Sequence, residues 1–234
     1  MGASKDLLSN TAQAERLHTF AHDLRNRLAG IQQVLGHLAS RCAIEEDREL
    51  LTFGEQQHFK ALREVEQLLD DMGVVRGVGH LELTSMGLRE LLEKVIGQLD
   101  HRYQRKHQVL ELEMPNDLRV LADAHYLGEV LHALISNASK FAAAGATIRV
   151  RAEQMGRSIR LSVTDPGVGL LPADLDMVFV RYAWLSSRST AGEAQGRSTL
   201  ARARQWAQAM KGDLSVHSDG PGTGSTFTLE LAAA

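Results

Sequence analysis

The first part of the chain carries two long stripes of mainly apolar residues at helical spacing. Steps of four and three alternate along the first stripe: Leu17, Ala21, Leu24, Leu28, Ile31, Leu35 and Leu38. The second stripe has the same spacing: Leu51, Gly54, His58, Ala61, Val65, Leu68, Met72 and Val75. Such steps place a whole stripe on one face of a helix, as in coiled coils and helix bundles. The pattern therefore predicts a hairpin of two long helices, joined by a loop at residues 41–47.

A hairpin with one apolar stripe per helix cannot enclose a core by itself. The simplest solution is a homodimer, in which two hairpins form a four-helix bundle. The alternative is that the rest of the chain covers both stripes. We expect the homodimer.

The pattern changes after a glycine-rich segment at residues 73–79, which we interpret as a linker. It divides the chain into a helical domain at residues 1–78 and a second domain at residues 79–234. The second domain mixes strands with helices and hairpins, so we predict an α/β sandwich, a mixed sheet backed by helices. The predicted strands are 81–84, 109–114, 119–122, 147–154, 158–164, 214–218 and 226–231, and the predicted helices are 86–105, 123–143 and 200–211, with a loop region from 165 to 196.

Composition and charge narrow the class of protein. Hydrophobic residues make up 44% of the 234 residues and charged residues 24%, which is typical of folded soluble proteins. The formal net charge of -3 gives no basic excess for binding nucleic acid or an anionic membrane. No apolar stretch is long enough to span a bilayer. A single cysteine, Cys42, excludes an internal disulfide and a multi-cysteine zinc site, and it favours a reducing, cytoplasmic location.

His22 is the first candidate for chemistry. It follows Ala21 of the first stripe, so it lies at the edge of the predicted bundle, with Asp23 beside it and Asn26 one turn further on. A neutral, exposed imidazole that a carboxylate orients can act as a nucleophile. Asn26 can position a water molecule or a phosphoryl oxygen. On spacing alone, an ordinary exposed histidine remains the alternative.

The second candidate lies late in the predicted helix 123–143, in the segment ISNASKF. Asn137 and Lys140 are three residues apart and share a helix face. An amide oxygen can bind Mg²⁺, and an ammonium group can bind phosphate. An ordinary polar helix edge explains the same pair.

Two glycine-rich segments follow strands or lead into them. In the first, Asp165, Gly167 and Gly169 end a predicted strand, where glycines allow the backbone to approach a ligand closely. A carboxylate at such a strand end can accept a hydrogen bond from an exocyclic amine. In the second, Gly224 and Ser225 precede the last strand. Each segment alone also fits an ordinary hairpin.

In their order along the chain, these motifs resemble the catalytic core of bacterial sensor histidine kinases, over nearly the whole chain. HDLRN at 22–26 resembles the H box, SNASKF at 136–141 the N box, and DPGVG at 165–169 the first glycine box. VFVRY at 178–182 resembles the F box, and GTGSTF at 222–227 the last glycine box. The resemblance implies a dimerising helical hairpin followed by an ATP-binding α/β sandwich of the GHKL (Bergerat) type.

The resemblance also implies an activity. An ATP-dependent protein-histidine kinase of this family would phosphorylate His22 from Mg-ATP, with Asp23 as the base, and pass the phosphoryl group to a response-regulator receiver domain. Asn26 would orient water in a phosphatase reaction. Asn137 would hold Mg²⁺, and Asp165 would recognise the adenine amine. The implied nucleotide-binding set is Asn137, Lys140, Asp165, Gly167, Gly169, Gly224 and Ser225.

The chain departs from the family pattern at three places. The second glycine box, written GxGLGL in the family, is reduced here to GRSTL at 196–200, and a left-handed backbone at the β-branched Thr199 would cost about 1–3 kcal/mol. Ala133 stands where many members carry a polar residue, and Arg27 where many carry proline. Two alternatives therefore stay open. One is a histidine phosphotransferase or pseudokinase that keeps His22 without using ATP, and the other is a purely regulatory dimerisation partner.

Overall fold

A computed structural model of the chain divides it into two compact units, Met1–Gly77 and Val78–Ala234. The structure describes residues 20, 24, 27, 28, 30, 31, 34, 35, 38, 45–71, 81–181, 183, 185–187, 189, 190 and 198–234. The predicted linker at 73–79 lies outside these residues. The position of the domain boundary, placed between residues 78 and 79, stays a prediction.

The first unit is helical wherever it is described. Helix α1 is Glu45–Asp71, and the isolated described positions between Phe20 and Leu38 also have helical backbone. A methyl group added at Gly54 would lie 3.7 Å from Leu35 Cδ2, so the two predicted stripes meet at this point. His58 is buried, as its place in the second stripe predicts.

The second unit contains two sheets. The strands are β1 Thr84–Gly87, β2 Val109–Glu113, β3 Arg119–Ala122, β4 Thr147–Met155, β5 Ser158–Asp165, β6 Asp213–His217 and β7 Ser225–Ala232. Five of them form a sheet in the order β2-β4-β5-β7-β6, in which β2 and β4 are parallel and the other neighbours antiparallel. Strands β1 and β3 form a separate antiparallel pair.

Helices cover one face of the five-stranded sheet. They are α2 Leu88–Lys106, α3 Ala124–Phe141, the short α4 Pro172–Leu175, and α5 Thr199–Ala209. Burial alternates along β4, where Ile148, Val150 and Ala152 face the core and the residues between them face outward. This alternation is typical of a sheet with one covered face. The predicted α/β sandwich is confirmed.

The first strand is the main error in the predicted elements. The apolar Leu81 and Leu83 suggest a strand at 81–84, but the strand forms at Thr84–Gly87. Its position follows from pairing with β3, where Thr84 lies opposite Ala122 and Gly87 opposite Arg119. Hydrogen bonding to a distant strand, rather than local alternation, decides where β1 begins.

Candidate functional site

A cavity of about 210 Å³ opens between the helical layer and the ends of the central strands. Four of the predicted site residues line it: Asn137, Lys140, Gly169 and Ser225. Much of the remaining wall is apolar, formed by side chains such as Leu170. The cavity therefore joins three segments that the sequence analysis selected separately.

Asp165 lies directly behind this wall, at the end of β5, and is only 2% exposed. Its Oδ2 accepts a hydrogen bond of 2.7 Å from Ser225 Oγ, and its Oδ1 accepts one of 3.0 Å from the Gly167 backbone N–H. Burial raises the pKa of the Asp165 carboxyl above its ordinary value, against the lowering effect of the two hydrogen bonds. Each carboxylate oxygen can accept more than one hydrogen bond, so Asp165 keeps the capacity to accept a ligand donor.

Two glycines allow the backbone to close around Asp165. A Cβ at Gly167 would lie 2.4 Å from Asp165 Oδ1 and 2.5 Å from the Phe141 carbonyl oxygen. Gly224 has φ +79°, and a Cβ there would lie 2.0 Å from the Asp165 carbonyl oxygen. No other residue fits either position without a shift of the backbone, so these glycines set the shape of the site around the carboxyl group.

Asn137 and Lys140 project from α3, which is packed into the core by other side chains such as Leu134 and Ala138. The helix starts at a polar cap, because the Asp123 carboxylate accepts hydrogen bonds from the His125 and Tyr126 backbone N–H groups. Asn137 and Lys140 are one turn apart and both reach the cavity, which is the arrangement that their spacing predicts.

The other end of α3 is held by side chains that the sequence analysis did not select. The buried Lys106 Nζ donates to the carbonyl oxygens of Ser139 and Lys140, at 2.8 and 3.2 Å, and to Thr190 Oγ1 at 2.8 Å. Gln108 Nε2 also donates to Ser139 O, at 3.1 Å. A cation at a helix C-terminus interacts favourably with the unpaired carbonyls and the dipole. Lys106 thus fixes the helix end that carries Lys140 and ties Thr190 to it.

Arg102 is a second residue that the sequence analysis missed. It lies on α2, lines the cavity, and donates from Nη1 to Ser136 Oγ at 2.9 Å. Among the described residues that line the cavity there is no aspartate or glutamate, whereas Arg102 and Lys140 bring positive charge. The cavity wall is therefore suited to an anion.

The reduced second glycine box, residues 196–200, contributes to the cavity wall at the start of α5. Residues 191–197 lie outside the described residues, but Thr199 and Leu200 line the cavity. Thr199 has ordinary helical backbone, and in the described part of the chain only His107 and Lys211 combine a side chain with positive φ. The chain therefore does not adopt the left-handed backbone that would be strained at Thr199. The first N–H groups of a helix have no acceptor within it and carry the positive end of its dipole.

The predicted phosphotransfer residues His22, Asp23 and Asn26 all lie outside the described residues. The described part of the chain contains no group of three or more His, Cys, Asp or Glu side chains that could hold a metal ion. None of its helices is long and apolar enough to cross a bilayer.

Comparison with known proteins extends these findings. A family model described as histidine kinase-, DNA gyrase B- and HSP90-like ATPase matches residues 122–234. The chain is 31% identical over 225 residues to the adaptive-response sensory kinase SasA of Synechococcus elongatus, covering 90% of this chain and 57% of SasA. It is 38% identical over 124 residues to the sensor-like histidine kinase SenX3 of Mycobacterium tuberculosis, covering 52% of this chain and 29% of SenX3. The chain thus spans only part of the length of these relatives.

Solved structures show the same fold. Full-length ShkA in complex with AMPPNP superposes with a TM-score of 0.61 at 23% identity, covering 94% of this chain and 46% of that one. The histidine kinase AdeS of Acinetobacter baumannii gives a TM-score of 0.57 at 21% identity, covering 90% of this chain and 97% of that one.

Proposed function

We propose that the chain is the catalytic core of a two-component sensor histidine kinase, starting from the match of residues 122–234 to the histidine kinase-, DNA gyrase B- and HSP90-like ATPase family. It binds Mg-ATP, phosphorylates His22, and passes the phosphoryl group to an aspartate in the receiver domain of a response regulator. The proposed location of this activity is the cytoplasm. The observation that carries the proposal is the cavity that joins Asn137 and Lys140 to the wall in front of Asp165.

The chemistry of the cavity fits a nucleotide. Asp165 is buried, oriented by Ser225 and Gly167, and able to accept a hydrogen bond from an exocyclic amine. The apolar wall suits a planar base, and the positively charged wall with the start of α5 suits a polyphosphate. Asn137 supplies a side-chain oxygen of the kind that Mg²⁺ prefers. When bound, Mg²⁺ would neutralise charge on the phosphates.

The phosphotransfer step is carried by His22. One ring nitrogen of His22 attacks the γ-phosphorus, the bond between the β–γ bridging oxygen and the γ-phosphorus breaks, and ADP leaves. The proton on the other ring nitrogen passes to Asp23, which stabilises the charge that develops on the imidazole. Asn26 orients water in a separate phosphatase reaction, which hydrolyses the phosphoryl group from the aspartate of the response regulator.

A homodimer belongs to the same proposal. Ile31 and Leu38 of the first predicted stripe are each 50% exposed, and Leu50 of α1 is 69% exposed. Large apolar side chains repeated along one helical hairpin favour burial against a second copy. Pairing two hairpins would produce the four-helix bundle that the stripes predict.

The second candidate function is a phosphotransferase that keeps His22 but does not use ATP. The reduced second glycine box favours this alternative, because glycines at 196–200 would allow close backbone contact with phosphates. The two functions differ in one property, the binding of ATP.

Thermal unfolding of the full chain with and without Mg-ATP distinguishes them. A ligand that binds only the native state stabilises it by about 2.7 kcal/mol at a concentration 100 times its Kd. We expect Mg-ATP to raise the melting temperature of the wild type and of the exposed control Asn116→Ala, and the Mg²⁺-dependent part of the rise to be lost in Asn137→Ala. An unchanged wild-type melting temperature at millimolar Mg-ATP would leave the phosphotransferase as the better account.

A further inference from the structure

Arg102 lies outside every segment that the motif comparison selected, yet its side chain reaches the cavity wall. It is half-buried on α2 and is held in place by a 2.9 Å hydrogen bond from Nη1 to Ser136 Oγ. Ser136 is itself buried and immediately precedes Asn137. The guanidinium group is therefore oriented by the same helix that presents Asn137 and Lys140 to the cavity.

The wall next to Ser136 has one apolar position, Ala133, although His132 and Asn137 also line the cavity there. Ala133 lies one turn before Ser136 on α3 and also lines the cavity, so a methyl group stands where many relatives in the family pattern carry a polar side chain. Arg102 brings a polar, charged group from the neighbouring helix to this part of the wall. The lining that the structure describes contains no acidic side chain to pair with it.

We propose that Arg102 is a phosphate-binding residue of the nucleotide site, supplied by α2 in place of contacts that the altered N box and second glycine box lack. This inference rests on the proposed nucleotide binding. An arginine side chain has five N–H donors in a planar fork, and the bond to Ser136 uses one of them. The fork suits two oxygens of one phosphate group, which a lysine cannot match.

In the proposed site, the phosphates and the base of the nucleotide contact different sides of the cavity. Arg102 lies with Ser136 and Lys140 on the helical side of the cavity, whereas Asp165 lies behind the strand side. Loss of the guanidinium should therefore weaken binding of ligands that carry phosphates and spare a ligand that carries only the base and the sugar.

The test compares Mg-ATP, Mg-ADP and adenosine on the full chain, by calorimetry for the nucleotides and by NMR titration for adenosine. The variants are Arg102→Met, which keeps an unbranched apolar stem and removes the guanidinium, and Arg102→Lys, which keeps the charge. The control is Arg105→Met, an exposed position on the same helix. A charged hydrogen bond corresponds to roughly 10- to 100-fold in affinity.

We expect Arg102→Met to weaken Mg-ATP and Mg-ADP binding by about that factor and to leave adenosine binding within about twofold of the wild type. Arg102→Lys should fall between Met and the wild type, and Arg105→Met should match the wild type. Nucleotide binding by the wild type together with unchanged Mg-ATP binding by Arg102→Met, or an equal loss of adenosine binding, would overturn this role and leave the proposed function standing. Absence of Mg-ATP binding by the wild type would overturn both. Should Arg102→Met not fold, wild-type Mg-ATP affinity in Arg102→Lys would overturn the proposal.

Discussion

Replacement of Asp165 by asparagine should weaken nucleotide binding without lowering the stability of the ligand-free protein. The reason is that the buried carboxylate is positioned to bind the ligand, and its burial costs free energy of folding. The change keeps the shape of the side chain and removes its charge. The amide oxygen of the new side chain would still accept from the Gly167 N–H, and the Ser225 hydroxyl can rotate to accept from the new NH₂ group. We therefore expect the free energy of unfolding of the ligand-free Asp165→Asn variant to stay within about 1 kcal/mol of the wild type, or to exceed it.

The direction of the pH dependence follows from the raised pKa of Asp165. Between its ordinary pKa and the raised one, the native state binds more protons than the unfolded state, so the free energy of unfolding falls as pH rises through this window. The asparagine variant lacks this loss. Its stability relative to the wild type should therefore increase with pH through the window and stay constant above it.

Nucleotide binding should respond in the opposite sense. Loss of a charged acceptor weakens the free energy of nucleotide binding by about 1.5–3 kcal/mol. In addition, the NH₂ group of the asparagine faces the exocyclic amine of the ligand and adds an unpaired donor. Mg-ATP affinity should fall by at least about tenfold. Urea denaturation across pH and calorimetric titration measure the two effects, with the exposed Asp176→Asn as the control. Wild-type affinity for Mg-ATP in Asp165→Asn, or a loss of several kcal/mol in its ligand-free stability, would refute the reasoning.

Three further changes test the packing around the site and the assembly. Lys106→Met should lower the free energy of unfolding by about 2 kcal/mol in urea, because it removes charged hydrogen bonds from the end of α3, and the exposed Lys94→Met should not. Wild-type stability in Lys106→Met would mean that the ammonium group is dispensable there. Gly224→Ala should destabilise the second unit by more than Gly145→Ala, since both glycines have positive φ but only Gly224 lies against neighbouring backbone; equal thermal shifts would contradict this. Ile31→Asp should convert a dimer to a monomer in light scattering, and a wild-type monomer at micromolar concentration would argue against the bundle.

Local periodicity predicts most of the second unit because its elements are strongly patterned. The predicted strand 119–122 coincides with Arg119–Ala122, and the helix 123–143 differs from Ala124–Phe141 only at its ends, where Asp123 is the cap. Strand β1 was misplaced because its position depends on pairing with β3, which follows it only after helix α2 and strand β2. The resemblance to the sensor histidine kinase core is confirmed by the matched family and by the curated relatives.

The site was predictable where a motif is contiguous and missed where it is assembled from distant segments. Asn137 and Ser225 belong to short motifs, and both line the cavity. Arg102 bonds to a residue 34 positions away, and Lys106 to Thr190, 84 positions away. On α2 both side chains fit an ordinary polar helix face, so nothing in their local spacing distinguishes them from exposed neighbours.

The most direct test of the central claim is transfer of the labelled γ-phosphoryl group of ATP to His22 in the full chain. We expect the wild type to incorporate label in the presence of Mg²⁺, and the label to be lost in acid and retained in alkali, as for phosphohistidine. His22→Gln should incorporate none, whereas His18→Gln should label normally. A wild type that never labels from ATP, or label that persists in His22→Gln, would contradict the account.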